Sequence, residues 1–308
     1  MSHGGTVERL PKEFKELLPL FQGWLDDALP TLSTEPTLAA AVVYSLTGPG
    51  KRIRPLLTLA LGELCGVEIA KLRPFCLALE FVHTSSLIHD DLPALDNDDF
   101  RRGMPTLHRK FDEATALLAG DLLLARAALE VTRAEGVCSE TRARWGELIS
   151  EATITLCEGQ VMDLRSGSLA EGSERVAVEQ LRELCIRKTG ALFRAAALGV
   201  AALAPELSQR ARFERSLTEY AVNLGLLFQI TDDLLDHRAD ILNSAPVGEG
   251  SRSKEQTLST YVSILGVDGA ERSADETAAA ALAALSEWPE EQAMVVAKLV
   301  ELVRKRDK

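Results

Sequence analysis

Five aspartates, Asp90, Asp91, Asp96, Asp98 and Asp99, fall within ten residues behind the apolar pattern of Arg73 to His89. Carboxylates this close repel one another and resist burial unless a cation offsets them. A second group, Asp232, Asp233 and Asp236, follows Leu226-Leu227-Phe228 near the end of another apolar pattern. On a helix, i and i+4 spacing puts Asp232 and Asp236 on one face, about 6 Å apart along the axis, within reach of one hard cation. Asp90 and Asp91 end their helix, and Pro93 makes Asp96 return from a loop. No His or Cys stands at ligand spacing, so the donors are all oxygen and a hard divalent ion, magnesium first, is the fitting one. Either group alone reads equally well as a solvated helix end. The pair argues for chemistry, because both follow strongly apolar helices. Two aspartate sets that share metals also need a bridging anion, which a diphosphate supplies.

The cations then acquire a task. Lys51, Arg52 and Arg54 follow the Gly48-Pro49-Gly50 turn, and Arg101-Arg102 follow the aspartates. Taken singly they are a surface patch and an electrostatic offset. Together they are guanidinium forks suited to a second phosphate group that no metal reaches. The inferred site is a cleft with a metal-bound diphosphate on one side and an arginine-bound one on the other.

Long helices must position these groups. Apolar residues recur at helical spacing over Phe14–Leu29, Thr37–Leu46, Leu56–Cys65, Arg73–His89, Ala114–Val131, Thr141–Leu164, Val178–Leu203 and Ser208–Asp236. Shorter patterns cover Thr257–Leu265, Asp275–Ser286 and Glu290–Arg306, and no strand is evident. Hydrophobic residues make up 46% and aromatics only 5%, which suits helix over sheet. The expected fold is therefore all-α, one domain over residues 1–308 with about ten to twelve helices. Residues 1–10 form a loose terminus, Ser166–Gly172 a polar loop, and 240–256 a mobile active-site loop. A net charge of −12 excludes nucleic acid as a general partner. The longest apolar stretch, Ala195 to Ala204, is half of what a membrane span needs, and no secretory signal opens the chain. Five cysteines without metal-ligand spacing read as small buried hydrophobes in a reducing compartment, so a cytoplasmic protein is expected.

These motifs, in this order, resemble the trans-isoprenyl diphosphate synthases, the farnesyl and geranylgeranyl diphosphate synthase family. The resemblance runs over essentially the whole chain and rests on five blocks. They are Gly50-Lys51-Arg52-Ile53-Arg54-Pro55, His89 to Gly103, Gly159-Gln160 with Asp163, Lys188-Thr189-Gly190, and Phe228-Gln229 with Asp232 to Asp236. Four residues between Asp91 and Asp96 resemble the bacterial and plant short-chain branch. The resemblance implies mostly antiparallel helices around a central cavity, and a homodimer. It also implies about three magnesium ions held on an allylic diphosphate by Asp90, Asp91, Asp96, Asp232, Asp233 and Asp236, with Arg101, Lys188 and Gln229 completing that site. Lys51, Arg54, His83, Arg102 and Phe228 would bind isopentenyl diphosphate. The implied reaction is ionisation, condensation and elimination, with Thr189, the backbone near Lys188 and Gln229 as dipoles for the cation.

Product length should follow the cavity wall. Ser85 lies five residues, about one and a half turns, before Asp90, with Ser86 beside it. Family members that stop at fifteen carbons often carry an aromatic residue there, so the small Ser85 favours twenty. One departure stands out: the family's lysine before Thr260-Tyr261 is Leu258 here, and Asn243-Ser244 and Ser253 replace a Gly-Lys turn and an Asp. Asp240 survives upstream, and Lys254 is the nearby cation. Two other readings compete. A terpene cyclase needs no isopentenyl site, which Lys51, Arg54 and Arg102 oppose. A catalytically impaired partner subunit rests only on the altered 240–258 segment.

Overall fold

The computed structural model describes residues 12–165, 174–204, 206–243 and 260–305. The terminus 1–10, the Ser166–Gly172 loop and residues 244–259, with Ser253, Lys254 and Leu258 among them, lie outside these. The described residues are overwhelmingly helical, and the all-α fold expected from the sequence is the fold found. They divide into two compact units, Met1–Thr153 with Ala195–Glu214, and Ile154–Arg194 with Arg215–Lys308.

The first unit opens with α1 (Lys12–Ala28), which buries Phe14, Leu17, Phe21 and Leu25. Pro30 turns the chain, and α2 (Pro36–Thr47) starts on a proline whose missing N–H costs nothing there. The Glu35 carboxylate caps α2 by accepting from the backbone N–H of Thr37 and Leu38. After the Gly48-Pro49-Gly50 turn, α3 (Ile53–Cys65) begins behind Arg52, whose φ of 50° is left-handed. Then α4 (Arg73–Asp90) runs through the interior, buried at nearly every position from Phe75 to Ile88. A helix apolar on all sides belongs in a core, and this one carries His83, Ser85, Ser86 and Asp90 into it.

Beyond α4 a hairpin appears where the sequence suggested no strand. Strands β1 (Phe100–Arg101) and β2 (Met104–Pro105) pair antiparallel, Phe100 opposite Pro105 and Arg101 opposite Met104. The two-residue loop is Arg102-Gly103, with φ of 52° and 78°. Positive φ at both positions is what a type I′ hairpin requires, and X-Gly is its sequence mark. The short α5 (Leu107–Lys110) leads to α6 (Glu113–Thr132), which the Asp112 carboxylate caps by accepting from the Thr115 N–H. α7 (Ser139–Leu164) starts in this unit and buries Trp145 against Phe75, the indole N–H donating to the Gly199 carbonyl at 2.8 Å.

The second unit contains the end of α7 and α8 (Glu174–Cys185). The sequence suggested one helix from Val178 to Leu203. Instead α8 passes into a π turn, Ile186–Gly190, before α9 (Ala191–Ala201) resumes. α10 (Leu207–Asn243) outlasts its apolar pattern by several residues, taking in Asp240 and Asn243, where a loop was expected to begin. α11 (Tyr261–Ala283) merges the last part of one expected short helix with another, with a break only at Gly266, φ 68°. Thr260 and Ser263 cap it reciprocally, Ser263 N–H to Thr260 Oγ1 at 3.0 Å and Thr260 N–H to Ser263 Oγ at 2.8 Å. α12 (Glu290–Arg304) closes the unit, with the buried Tyr220 hydroxyl donating to the Val296 carbonyl at 2.7 Å.

The π turn is squeezed from two sides. A Cβ on Gly159 of α7 would lie 2.5 Å from the Lys188 nitrogen, and one on Gly225 of α10 would lie 3.2 Å from Gly190 Cα. Both helices touch the turn backbone to backbone because they are bare there. Cysteine usage departs from expectation: all five are free thiols, but only Cys76 and Cys185 are buried, Cys65 is half-buried, and Cys138 and Cys157 are exposed. Among the described residues no helix is long and apolar enough to cross a membrane.

The Gly159 contact sets a prediction. Gly159→Ala improves helix propensity, yet it drives a methyl into backbone that cannot rotate away. The net result should be destabilisation by about 1–3 kcal/mol, read as a lower urea midpoint at unchanged m. A variant as stable as the wild type would show that α7 and the turn part at no cost.

Candidate active site

In the first unit the cations converge on α4. A cavity of about 80 Å³ is lined by Arg52, Glu80, His83, Asp91, Arg101 and Arg102, among others. Burial holds the His83 imidazole well below its usual range, and Arg54, Arg102, Arg52 and Arg101 push it the same way. His83 is therefore a neutral ring among four guanidiniums. Arg54, in the first turn of α3, is itself lowered to about 10 by burial, with Glu80 opposing and Arg102 reinforcing the shift. Lys51 lies exposed just ahead of α3.

The structure divides these cations by task. Arg52 was grouped with the phosphate ligands, but its guanidinium is engaged internally, donating to the buried Glu80 carboxylate and to the carbonyls of Leu46 and Gly48. Arg102 donates to the Pro49 carbonyl at 2.7 Å. Arg52 and Arg102 thus clamp the Gly48-Pro49-Gly50 turn from two sides, both from left-handed backbone that costs about 1–2 kcal/mol per residue. Such strain is characteristic of functional sites. Glu80 was not singled out from the sequence. Its signal was present, as the one charge inside the apolar run Phe75 to Val82.

Around the first aspartate group, Pro93 ends α4 and the chain doubles back: Asp96 N–H donates to the Asp90 carbonyl at 2.9 Å and Asn97, φ 55°, donates to Leu92. Asp91 is buried and Asp90 half-buried, while Asp96 is exposed. Arg101 donates from Nε and Nη2 to one Asp91 oxygen, at 2.7 and 2.6 Å. Burial still raises the Asp91 carboxyl to about 6, against the pull of Arg101, and the charges of Asp98 and Asp90 add to the rise. Ser85 is fully buried, its hydroxyl without a hydrogen-bond partner among the described residues, and Ser86 donates to the His83 carbonyl at 2.9 Å.

In the second unit the site is built around the π turn. Lys188 Nζ is paired with the Asp163 carboxylate of α7. Thr189 Oγ1 donates to Gln229 Oε1 at 3.2 Å, Gln229 Nε2 donates to Asp233 Oδ1 at 3.0 Å, and the Tyr261 N–H donates to Asp233 Oδ2 at 2.9 Å. This chain ties the turn, α10 and the start of α11 together. Gly225 stands one helical turn before Gln229, and its close approach to Gly190 lets Gln229 reach Thr189. Burial raises the Asp233 carboxyl to about 6; the Tyr261 and Gln229 hydrogen bonds oppose this, and Asp232 and Asp236 add to it. Asp232 is half-buried and Asp236 exposed, and Phe228 meets Phe193 at 6.1 Å between ring centroids. Asp163 and Gln160 entered the sequence reading only as parts of a motif; their positions against the turn were not legible there.

Among the described residues no three carboxylate, imidazole or thiol groups converge tightly enough to chelate an ion unaided. The donor set nonetheless fits magnesium, which is normally held by one or two carboxylates with substrate phosphates and water completing the shell. Asp91 and Asp233 are each a buried carboxylate whose neighbours of like charge raise its pKa, an imbalance that a cation relieves.

The buried Asp233 has a measurable cost in metal-free protein. Its folded pKa lies above the ordinary value, so the penalty is absent below about pH 4, grows to about pH 6 and is constant above. Asp233→Asn preserves the hydrogen-bond chain in reversed sense, because the Gln229 amide can flip and Thr189 can accept. In chelator, the variant should melt above the wild type at pH 8, with the gap closing toward pH 4. A gap that does not depend on pH would refute the assignment.

The comparisons with known proteins agree with one another. The family model described as polyprenyl synthetase matches residues 35–302. A farnesyl diphosphate synthase of Haemophilus influenzae is 37% identical over 255 residues, 82% of this chain and 83% of that protein. A chloroplastic geranylgeranyl pyrophosphate synthase of Catharanthus roseus is 36% identical over 289 residues, 92% of this chain and 77% of that protein. The crystal structure of a geranyltransferase from Legionella pneumophila matches with a TM-score of 0.83 at 30% identity, covering 95% of this chain and 96% of that one.

Proposed function

Because the chain belongs to the polyprenyl synthetase family, as a short-chain trans-prenyltransferase, we propose that it condenses isopentenyl diphosphate head-to-tail with an allylic diphosphate in a magnesium-dependent reaction. The observation that carries the reading is the cavity beside α4, where four guanidiniums surround a neutral His83. It offers an anion a site that uses no metal and presents no nucleophile, which suits a substrate that must be held by its diphosphate and react at its double bond. Arg54, Arg102 and His83 with Lys51 are the isopentenyl ligands in this reading, and Phe228 lines the same substrate's path. Arg52 and Glu80 shape the site from behind.

The allylic diphosphate falls to Arg101, Lys188 and Gln229, and magnesium to Asp90, Asp91, Asp96, Asp232, Asp233 and Asp236. About three such ions, once bound, offset the charge of the leaving diphosphate. The bond from the allylic carbon to oxygen breaks, the isopentenyl double bond forms the new carbon–carbon bond, and a proton leaves to the released diphosphate. Thr189 and Gln229 contribute dipoles to the transient cation without trapping it. The family match spans residues of both compact units, which supports reading 1–308 as one catalytic module. Leu117 and Leu118, side by side and half exposed on α6, support a homodimer.

Purified protein given magnesium, isopentenyl diphosphate and, in turn, dimethylallyl, geranyl or farnesyl diphosphate should release diphosphate and yield linear products, and should sediment at twice the chain mass. Cyclic hydrocarbon would favour a cyclase instead, and silence a catalytically impaired partner subunit.

The relatives include synthases named for fifteen- and twenty-carbon products, so length is read from the chain itself. Ser85 is a small residue at a fully buried position of α4, and we assign a twenty-carbon, geranylgeranyl product to it. Ser85→Phe should shorten the products to fifteen carbons or fewer at retained turnover; an unchanged product spectrum would remove Ser85 from the role.

A further inference from the structure

The polar side chains around the π turn satisfy one another in sequence: Lys188 with Asp163, then Thr189, Gln229, Asp233 and the Tyr261 N–H. Gln160 stands outside that chain. It is 7% exposed, and neither its amide nitrogen nor its amide oxygen has a hydrogen-bond partner among the described residues. A buried carboxamide bare at both ends costs several-fold more than one bare end, and folded proteins rarely keep it without a use. Its position is defined by its neighbours on α7. Gly159, next in the chain, is the point where α7 meets the Lys188 backbone. Asp163, three residues on and therefore adjacent on the helix surface, grips Lys188 Nζ.

We propose that Gln160 is a catalytic residue of the condensation, its carboxamide spanning the ion pair that forms when the allylic diphosphate ionises. The inference rests on the synthase reading. Ionisation breaks one carbon–oxygen bond and sends both electrons to the diphosphate oxygen, leaving a cationic carbon beside an anion. A carboxamide is complementary to that pair: its oxygen faces the cation and its N–H faces the departing diphosphate. A carboxylate or an amine at this position would capture the cation, whereas a neutral amide oxygen is too weakly nucleophilic to do so. The dipole is fixed in a dry environment, and the charges it meets are largest in the transition state, so it acts on turnover more than on substrate binding. The competing explanation for a bare buried amide is one trapped water bridging its two ends.

Gln160→Leu and Gln160→Met separate the two. Both remove the dipole at nearly constant volume, and both should fold with an undiminished melting temperature, since a bare polar group is replaced by an apolar one. In the full chain with magnesium, kcat should fall about 100-fold while KM for each substrate stays within about threefold. By calorimetry, an unreactive allylic thiodiphosphate should bind wild type and variants alike. A prenyl ammonium analogue of the cation, added with inorganic diphosphate, should bind the variants about tenfold less tightly. Unchanged kcat would leave Gln160 with its water, and equal loss for both analogues would make it a general binding residue. Two variants that both lose the fold would assign it to the core. Each of these three results overturns the proposal. A wild-type protein that makes no prenyl product would instead sink the synthase reading, an outcome visible before any variant is compared.

Discussion

Four guanidiniums crowded around one imidazole would ordinarily drive a fold apart. The buried Glu80 carboxylate lets them coexist: it takes the charge of Arg52 directly and opposes the loss of the Arg54 proton at longer range. Paired inside the protein, Arg52 turns its remaining donors on the carbonyls of Leu46 and Gly48 and fixes the turn that Arg102 also grips. A buried ion pair is weak evidence of net stability, and its contribution here is better described as specification. The left-handed backbone at Arg52 and Arg102 persists because their side chains are anchored, and the anchoring directs Arg54 and His83 at the cavity.

The second unit solves the opposite electrostatic problem. Asp233 is anionic, buried and flanked by two further aspartates, and it is tolerated because two donors reach it, the Gln229 amide and the Tyr261 N–H. Those donors are in place only if α10 touches the π turn and α11 starts at Thr260. Gly225 and the reciprocal caps of Thr260 and Ser263 secure both conditions. Residues without reactive groups therefore decide where the reactive ones stand.

Much of this was legible in the sequence, and the reasons differ by feature. The long helices announce themselves by apolar period, and the aspartate and arginine blocks by chemical type. Arg102-Gly103 carried a hairpin signal that was passed over because two-residue strands leave no alternating pattern to notice. Gly266 read as the end of a helix, although a single left-handed residue only bends the path before it resumes. The π turn left no mark at all, because it arises from the bare faces of Gly159 and Gly225 pressing on a segment far away in the chain. Glu80 and Gln160 were likewise invisible as actors, since a side chain's partners, or its want of them, belong to packing rather than to order along the chain.

A π turn differs from an α-helix by one residue of surplus, and the surplus is a matter of phase. Each residue turns a helix by 100°, so trimming one position between Ile186 and Gly190 would restore regular pitch and rotate everything that follows against everything before. Lys188 and Thr189 would then no longer look in the directions that let one meet Asp163 and the other meet Gln229. The insertion behaves as a gearing error kept on purpose: it lets one continuous rod present consecutive side chains to two different neighbours, which a perfect helix of the same length could not do.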